Sequence, residues 1–181
     1  DFLRSKTKEN SIGITRKKPL NILILYDNKF IHSNTIMDHL KCFAFYSRNN
    51  ILYAIATDKA TCAMNLSLFD TIIIHSSIQL GCHTKLSPSY EESLKKFHGL
   101  KILFVQNEYD TTENVRQRIE SLGVHIVFTC VPAEHLEAVY PLSRFPHVEF
   151  IPTLTAYVPS YLEDYTTPKP LSERTFVIGY R

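Results

Sequence analysis

The sequence predicts a doubly wound α/β domain, with a mainly parallel sheet and helices on both of its faces. Short apolar runs that suit buried strands alternate with segments whose apolar residues keep the three-and-four spacing of a helix face. Strands that alternate with helices need crossover connections, and right-handed crossovers give a parallel, Rossmann-like sheet. A length of 181 residues suits one such domain.

Six apolar runs are predicted as strands, and they span residues 20–26, 51–56, 70–75, 102–106, 124–131 and 148–151. The fourth run carries no charge and ends abruptly in polar and acidic residues, which predicts a strand buried on both faces. If the first three strands lie in the order 3-2-1 and the fourth returns beside the first, the loops 27–33 and 107–112 face each other. That crevice is where an open α/β sheet binds its ligands.

Capping residues predict where the helices begin. The first helix is predicted to begin at 33–34, and the second at Ser87 with Pro88 in its first position. A capping box over 89–92 offers an alternative start one register later. The third helix is predicted to begin at 111–112 and end at Gly123, the fourth to begin at Pro132, and Gly99 to end the second.

Charge and composition divide the chain into three parts. Residues 1–18 hold six of the 20 basic residues and two of the 18 acidic residues, which predicts a basic, flexible arm. Residues 19–160 are predicted to form the α/β domain. Residues 161–181 contain a Thr- and Pro-rich linker, followed by an apolar run that we expect to be the first strand of a second domain.

Composition also limits the classes of function. Hydrophobic residues make up 44% and charged residues 21%, as in a soluble globular protein, and no apolar run is long enough for a transmembrane segment. We expect no nucleic-acid partner, whereas peripheral contact of the arm with a membrane stays open. The four cysteines lack CxxC or zinc spacing, which predicts reduced thiols in a cytoplasmic protein. No glycine-rich nucleotide loop is present.

Polar side chains at the strand ends are the candidate site residues. Three of them are candidates for proton transfer, namely Glu108, His32 and Asp110. The candidates for ligand binding are Asp27, Asn28, Ser33, His75, Ser76, Asn107, Tyr109, Thr155 and Tyr157. The alternative is structural: an acidic side chain favours the amino end of the following helix, and His75 is a satisfied core histidine. Two carboxylates on one short loop do not predict a metal site.

Four segments resemble the amino-terminal half of a family of bacterial GT-B glycosyltransferases. They are Lys101-Ile-Leu-Phe-Val-Gln-Asn-Glu-Tyr-Asp110, Ser121-Leu-Gly-Val-His-Ile-Val-Phe-Thr-Cys-Val-Pro132, Thr153-Leu-Thr-Ala-Tyr-Val-Pro159 and Val177-Ile-Gly-Tyr-Arg181. Residues 1–100 match in pattern only. The resemblance implies two facing Rossmann-like domains, of which this one mainly binds the sugar acceptor and an absent C-terminal domain mainly holds the nucleotide-sugar donor.

The resemblance further implies that this domain holds no cofactor and no metal, and that it is inactive alone. It implies a place near the interdomain cleft for Glu108 and Tyr109. A hypothesis from another class remains beside it: a non-catalytic, partner-binding α/β domain of flavodoxin-like topology. A phosphoacceptor receiver would need paired acids after the first strand and an aspartate after the third, where this chain has only Asp27 and then His75.

Overall fold

The computed structural model describes residues 18–30, 33–81, 86–106, 108, 111–154 and 170–173. Strands and helices alternate through these residues, with short 3-10 turns between some of them. The elements are β1 (Asn21–Tyr26), α1 (Asn34–Tyr46), β2 (Asn50–Ile55), β3 (Thr71–Ile74), α2 (Pro88–Lys96), β4 (Leu100–Phe104), α3 (Thr112–Leu122), β5 (Ile126–Thr129), α4 (Leu136–Val139) and β6 (Glu149–Pro152).

The six strands form one open sheet in the order β2-β1-β3-β4-β5-β6, and every neighbouring pair is parallel. The predicted doubly wound, Rossmann-like α/β fold is therefore confirmed. The predicted strand order 3-2-1-4 is wrong, because β3 lies between β1 and β4. All four residues of β3 are buried, which suits a central strand, whereas β2 has no buried residue and lies at the edge.

Helices cover both faces of the sheet, as the sequence predicts. On one face, α1 packs over β1 and β3, where Ile24, Leu40 and Ile73 form a buried cluster. The other face carries the larger core, to which α2 and α3 contribute Leu94 and Ile119. Odd and even strand residues face opposite layers, so β1, β3 and β4 contribute to both clusters.

β4 is not buried on both faces, contrary to the prediction. Leu103 is buried against α2 and α3, but Ile102 and Phe104 on the face of α1 are only partly buried. α1 packs over β1 and β3, of which only β3 adjoins β4, so it covers β4 incompletely. Lys101 is also buried. Its ammonium group donates a hydrogen bond to the carbonyl oxygen of Leu94 at 3.0 Å, near the carboxyl end of α2.

The start of α2 is the predicted one. Ser87 accepts a hydrogen bond from the backbone N–H of Tyr90 at 3.2 Å, and Pro88 occupies the first turn. The alternative capping box over 89–92 does not form, because the Ser89 hydroxyl accepts the backbone N–H of Cys62 at 3.0 Å.

Two glycines have identifiable structural roles: one ends a helix, and the other allows two backbone segments to lie close together. Gly123 ends α3 with a φ of 62°, the left-handed conformation that glycine adopts without strain. The predicted role of Gly99 is wrong, because α2 already ends at Lys96. A Cβ added at Gly99 would lie 2.7 Å from the carbonyl oxygen of Asp70, so glycine here permits the close approach of two backbone segments.

Candidate functional site

The loops after β1 and β3 meet at the carboxyl edge of the sheet, where the direction of winding reverses. Asp27 follows β1 and is fully buried, and its backbone N–H donates to the hydroxyl of Ser77, beyond β3, at 3.0 Å. The predicted partner of the first loop was the loop 107–112, and the observed strand order corrects this. Ligands of open α/β sheets bind at such a switch point.

The carboxylate of Asp27 organises its own loop. Its Oδ1 accepts the backbone N–H of Lys29 at 2.9 Å and the hydroxyl of Thr57 at 3.3 Å. These bonds hold the 3-10 turn Asn28–Phe30 against the loop that follows β2. The exposed ammonium of Lys29 pairs with Asp58 at 2.6 Å on the outer side of this turn.

His75 ends β3 and is buried, with only 1% of its surface exposed. Its Nδ1 accepts the backbone N–H of Ser77 at 3.1 Å, and its Nε2 lies 3.0 Å from Nδ1 of His39 on α1. Burial, together with the nearby imidazole of His39, lowers the pKa of His75 to about 3. The imidazole of His75 is therefore neutral at physiological pH.

His39 reaches this position because it lies on the core-facing stripe of α1, between Ile36 and Phe43. The centroid of its ring lies 5.2 Å from that of Phe43 and 5.4 Å from that of Phe104, so the imidazole is packed among aromatic side chains. Burial lowers the pKa of His39 as well. The site thus contains two adjacent, neutral imidazoles.

Beside the two histidines lies a cavity of about 250 Å³. Its lining residues are Thr35, Ile36, His39, Cys42, His75, Ser76, Phe104, Gln106, Thr153 and Leu154. Among these described residues there is no carboxylate, lysine or arginine, and burial raises the pKa of the Cys42 thiol. The lining thus offers neutral hydrogen-bonding groups together with the aromatic ring of Phe104. Such a lining suits a neutral ligand rich in oxygen atoms.

Two of the predicted ligand-binding residues, His75 and Ser76, line this cavity. Asp27 is linked to His75 through Ser77 but is not a lining residue. Asn28 is exposed at the start of the 3-10 turn, and Ser33 precedes α1, where its carbonyl oxygen accepts the N–H of Met37 at 3.1 Å. The residues that follow β3 therefore line the cavity, whereas the loop that follows β1 lies beside it.

Glu108 is buried, with 6% of its surface exposed, and it lies at the end of β5 rather than among the lining residues. Its Oε1 accepts the hydroxyl of Thr129 and the backbone N–H of Cys130, the latter at 3.1 Å. These contacts tie the loop after β4 to the carboxyl end of β5. Glu108 has a structural role here, and its role in proton transfer stays a prediction.

Six predicted site residues lie outside the described residues. They are His32, Asn107, Tyr109, Asp110, Thr155 and Tyr157. The arm up to residue 17, most of the linker and the last apolar run also lie outside them.

Sequence reasoning gave no role to the polar lining residues Thr35, His39 and Gln106. A signal for His39 was present, since a histidine at the spacing of the apolar stripe of the first helix must face the sheet. Gln106 follows β4 and Thr153 follows β6, so both obey the strand-end rule that selected the other candidates.

Within the part of the chain that the structure describes, no three His, Cys, Asp or Glu side chains gather as a metal site would require. No helix among those residues combines the length and apolar character needed to cross a membrane. A scan against protein-family models and a search of curated proteins found no match for this chain.

Proposed function

We propose that this chain is the acceptor-binding domain of a glycosyltransferase, which moves a sugar from a nucleotide-sugar donor to a saccharide or other acceptor. The observation that carries the proposal is the neutral, hydrogen-bonding cavity at the carboxyl edge of the sheet, beside the switch point. A sugar is uncharged and dense in hydroxyl groups, so it needs donors and acceptors and an apolar ring face rather than ion pairs. Ser76, Gln106, His39 and Phe104 provide these groups.

The size of the cavity is consistent with one sugar unit. Its volume of about 250 Å³ lies just below the roughly 300–1,000 Å³ that is typical for larger ligands. The four segments that resemble GT-B glycosyltransferases support the same proposal. Two of them overlap β4 and β5, and a third begins directly after β6. The donor nucleotide is assigned mainly to a second, C-terminal domain.

The rest of the proposal follows from this assignment. The domain holds no metal or cofactor of its own, and it works in the cytoplasm, with peripheral membrane contact through residues 1–18 left open. Cys42, Cys62 and Cys130 are free thiols, as a reducing compartment would keep them. Glu108, His32 and Asp110 remain the candidates for the base that takes the acceptor proton.

Calorimetry on the chain tests the proposal. We expect glucose, galactose, mannose or N-acetylglucosamine to bind in the millimolar range, and UDP and GDP not to bind. Ser76→Ala and Gln106→Ala should weaken sugar binding, whereas Ser121→Ala on the exposed side of α3 should not. Binding of UDP or GDP without binding of any sugar would contradict the proposal.

A partner-binding domain of flavodoxin-like topology is the second candidate function. The strand order 2-1-3-4-5 within the sheet is the flavodoxin-like order, and α1 carries exposed aromatic side chains at Phe45 and Tyr46, exposed by 75% and 59%. Sedimentation analysis of the chain and of Phe45→Ser tests this candidate. Association that Phe45→Ser abolishes, in the absence of sugar binding, would favour it.

A further inference from the structure

The hydrogen bonds around His75 determine which of its ring nitrogens carries the hydrogen. Nδ1 of His75 lies 3.1 Å from the backbone nitrogen of Ser77, and a backbone N–H can only donate. Nδ1 must therefore present a lone pair. The hydroxyl oxygen of Ser77 accepts the backbone N–H of Asp27 and lies 2.9 Å from Nδ1 of His75. Since His75 is neutral, its hydrogen is on Nε2.

The tautomer of His75 in turn determines that of His39. The Nε2–H of His75 points to Nδ1 of His39 across 3.0 Å, so Nδ1 of His39 is the acceptor. A neutral imidazole has one N–H, and in His39 it must therefore be on Nε2. The opposite tautomer would place two hydrogens between these nitrogens.

We propose that His39 acts in the cavity as a hydrogen-bond donor through its Nε2–H, recognising an oxygen atom of the ligand, with His75 and Ser77 as positioning residues. A general base at this nitrogen would need a lone pair on Nε2, and that tautomer is the one the contact with His75 disfavours. His39 therefore selects ligands that offer an oxygen acceptor and does not accept the proton of a reacting hydroxyl.

The inference rests on the proposed function only in the kind of ligand that it names. That ligand is a sugar whose hydroxyl or ring oxygen accepts the hydrogen bond of His39. The tautomers themselves follow from the contacts of three side chains and one backbone N–H. The two parts are therefore tested by separate measurements on the whole chain.

The first measurement is a long-range ¹H–¹⁵N correlation spectrum of the chain labelled at histidine, recorded at neutral pH. The signals of His39 and His75 are identified from their loss in His39→Gln and His75→Asn. We expect both rings to be neutral and to carry the hydrogen on Nε2. The exposed His147 serves as the reference signal for a ring at the surface. A hydrogen on Nδ1 of either buried ring would overturn the proposal.

The second measurement compares sugar binding by His39→Phe and His39→Gln. Phenylalanine keeps a ring but removes the donor, so the dissociation constant should rise about tenfold, as expected for one lost hydrogen bond. Glutamine places an amide N–H near the position of Nε2 and should weaken binding less, and His147→Gln should leave it unchanged. Equal losses in His39→Phe and His39→Gln would overturn the donor role.

The outcomes separate the two proposals. If no sugar binds while both tautomers are as expected, the sugar-binding function fails and the arrangement of the histidines stands. If sugars bind but His39 carries its hydrogen on Nδ1, the function stands and the donor role of His39 fails.

Discussion

His75 and Glu108 are buried polar residues, and the hydrogen-bond partners of each explain why it can be buried. His75 is held neutral between Ser77 and His39, and Glu108 is held by Thr129 and Cys130. Buried polar groups need such partners because each unmade hydrogen bond has a large cost. Both residues therefore have stability consequences that do not depend on any ligand.

His75 should make the chain sensitive to acid. Its pKa of about 3 in the folded state lies below the 6.5 of an unfolded histidine, so only the unfolded state gains a proton as the pH falls from 6.5 towards 3. Stability due to His75 is thus complete above pH 6.5 and decreases below it, by about 2 kcal/mol between pH 7 and pH 5.

The variant His75→Asn tests this pH dependence, since asparagine retains an acceptor for the N–H of Ser77 but does not titrate. Urea unfolding at pH 7, 6 and 5 should show a smaller loss of stability in His75→Asn than in the wild type. His147→Asn, at an exposed position, is the control and should retain the wild-type dependence. If the dependence of stability on pH is unchanged in His75→Asn, the lowered pKa of His75 is not the source of that dependence.

Glu108 should contribute to stability through its hydrogen bonds. Glu108→Ala leaves the Thr129 hydroxyl and the Cys130 N–H without their buried acceptor, and we expect a loss of about 2–3 kcal/mol in urea unfolding. Glu108→Gln retains an acceptor oxygen and should lose about 1 kcal/mol. The exposed Glu134→Ala is the control and should change stability little.

The same variants address the predicted chemistry of Glu108. If it is the base of a transferase, Glu108→Gln in an enzyme that also contains the donor-binding domain must abolish turnover although the fold is retained. Turnover that matches the wild type in Glu108→Gln would leave Glu108 with its structural role alone.

At the scale of elements, the helices differ in how they begin. Ser87 caps α2 with its side chain, whereas Thr111 precedes α3 in a left-handed conformation, φ 61°, and its hydroxyl donates to the carbonyl oxygen of Gly81. The cap of α2 could be predicted from the sequence because Ser followed by Pro is a local signal. The contact of Thr111 joins residues 30 positions apart and has no local signal.

Removing the cap of α2 should destabilise the chain measurably. Ser87→Ala removes the acceptor for the N–H of Tyr90, and we expect a loss of about 1 kcal/mol in the free energy of unfolding. Ser121→Ala, at an exposed position within the last turn of α3, is the matched control. Equal stability of Ser87→Ala and Ser121→Ala would show that the cap contributes nothing.

At the scale of the whole molecule, the strand order sets which parts of the sheet open first. β1, β3 and β4 each have a neighbouring strand on both sides. Most of the fully buried side chains within the strands lie in these three, whereas β2 and β6 have one neighbour each in the described sheet. Local opening takes place where few buried contacts must be broken. The centre of the sheet should therefore be the most stable region.

Hydrogen exchange monitored by NMR tests this ordering. Amide protons of β1, β3 and β4 should exchange most slowly, with the slowest rates approaching the global free energy of unfolding. Those of β2 should exchange among the fastest of the strands. Had the predicted order 3-2-1-4 been correct, β2 would be central and protected, so strong protection of β2 would contradict the observed topology.

The candidate site, like the fold, could be predicted only where the signal in the sequence is local. His75 and Ser76 were found because both follow an apolar strand, and ligand sites of parallel sheets lie at strand ends. His39 was missed because its importance depends on contact with His75, which is 36 residues away. The chain also places polar residues after β4, β5 and β6, and only the sheet order determines which of them line the same cavity.

Local patterns in the sequence are enough to predict that strands and helices alternate, and therefore that they form a parallel α/β sheet. That information is local, because side-chain periodicity and caps act within a few residues. The place of β3 between β1 and β4, and the hydrogen bond between His39 and His75 beside the cavity, are seen only in the folded chain. The physical reason is that apolar strands are chemically alike, so their order depends on packing among distant segments that no local pattern records.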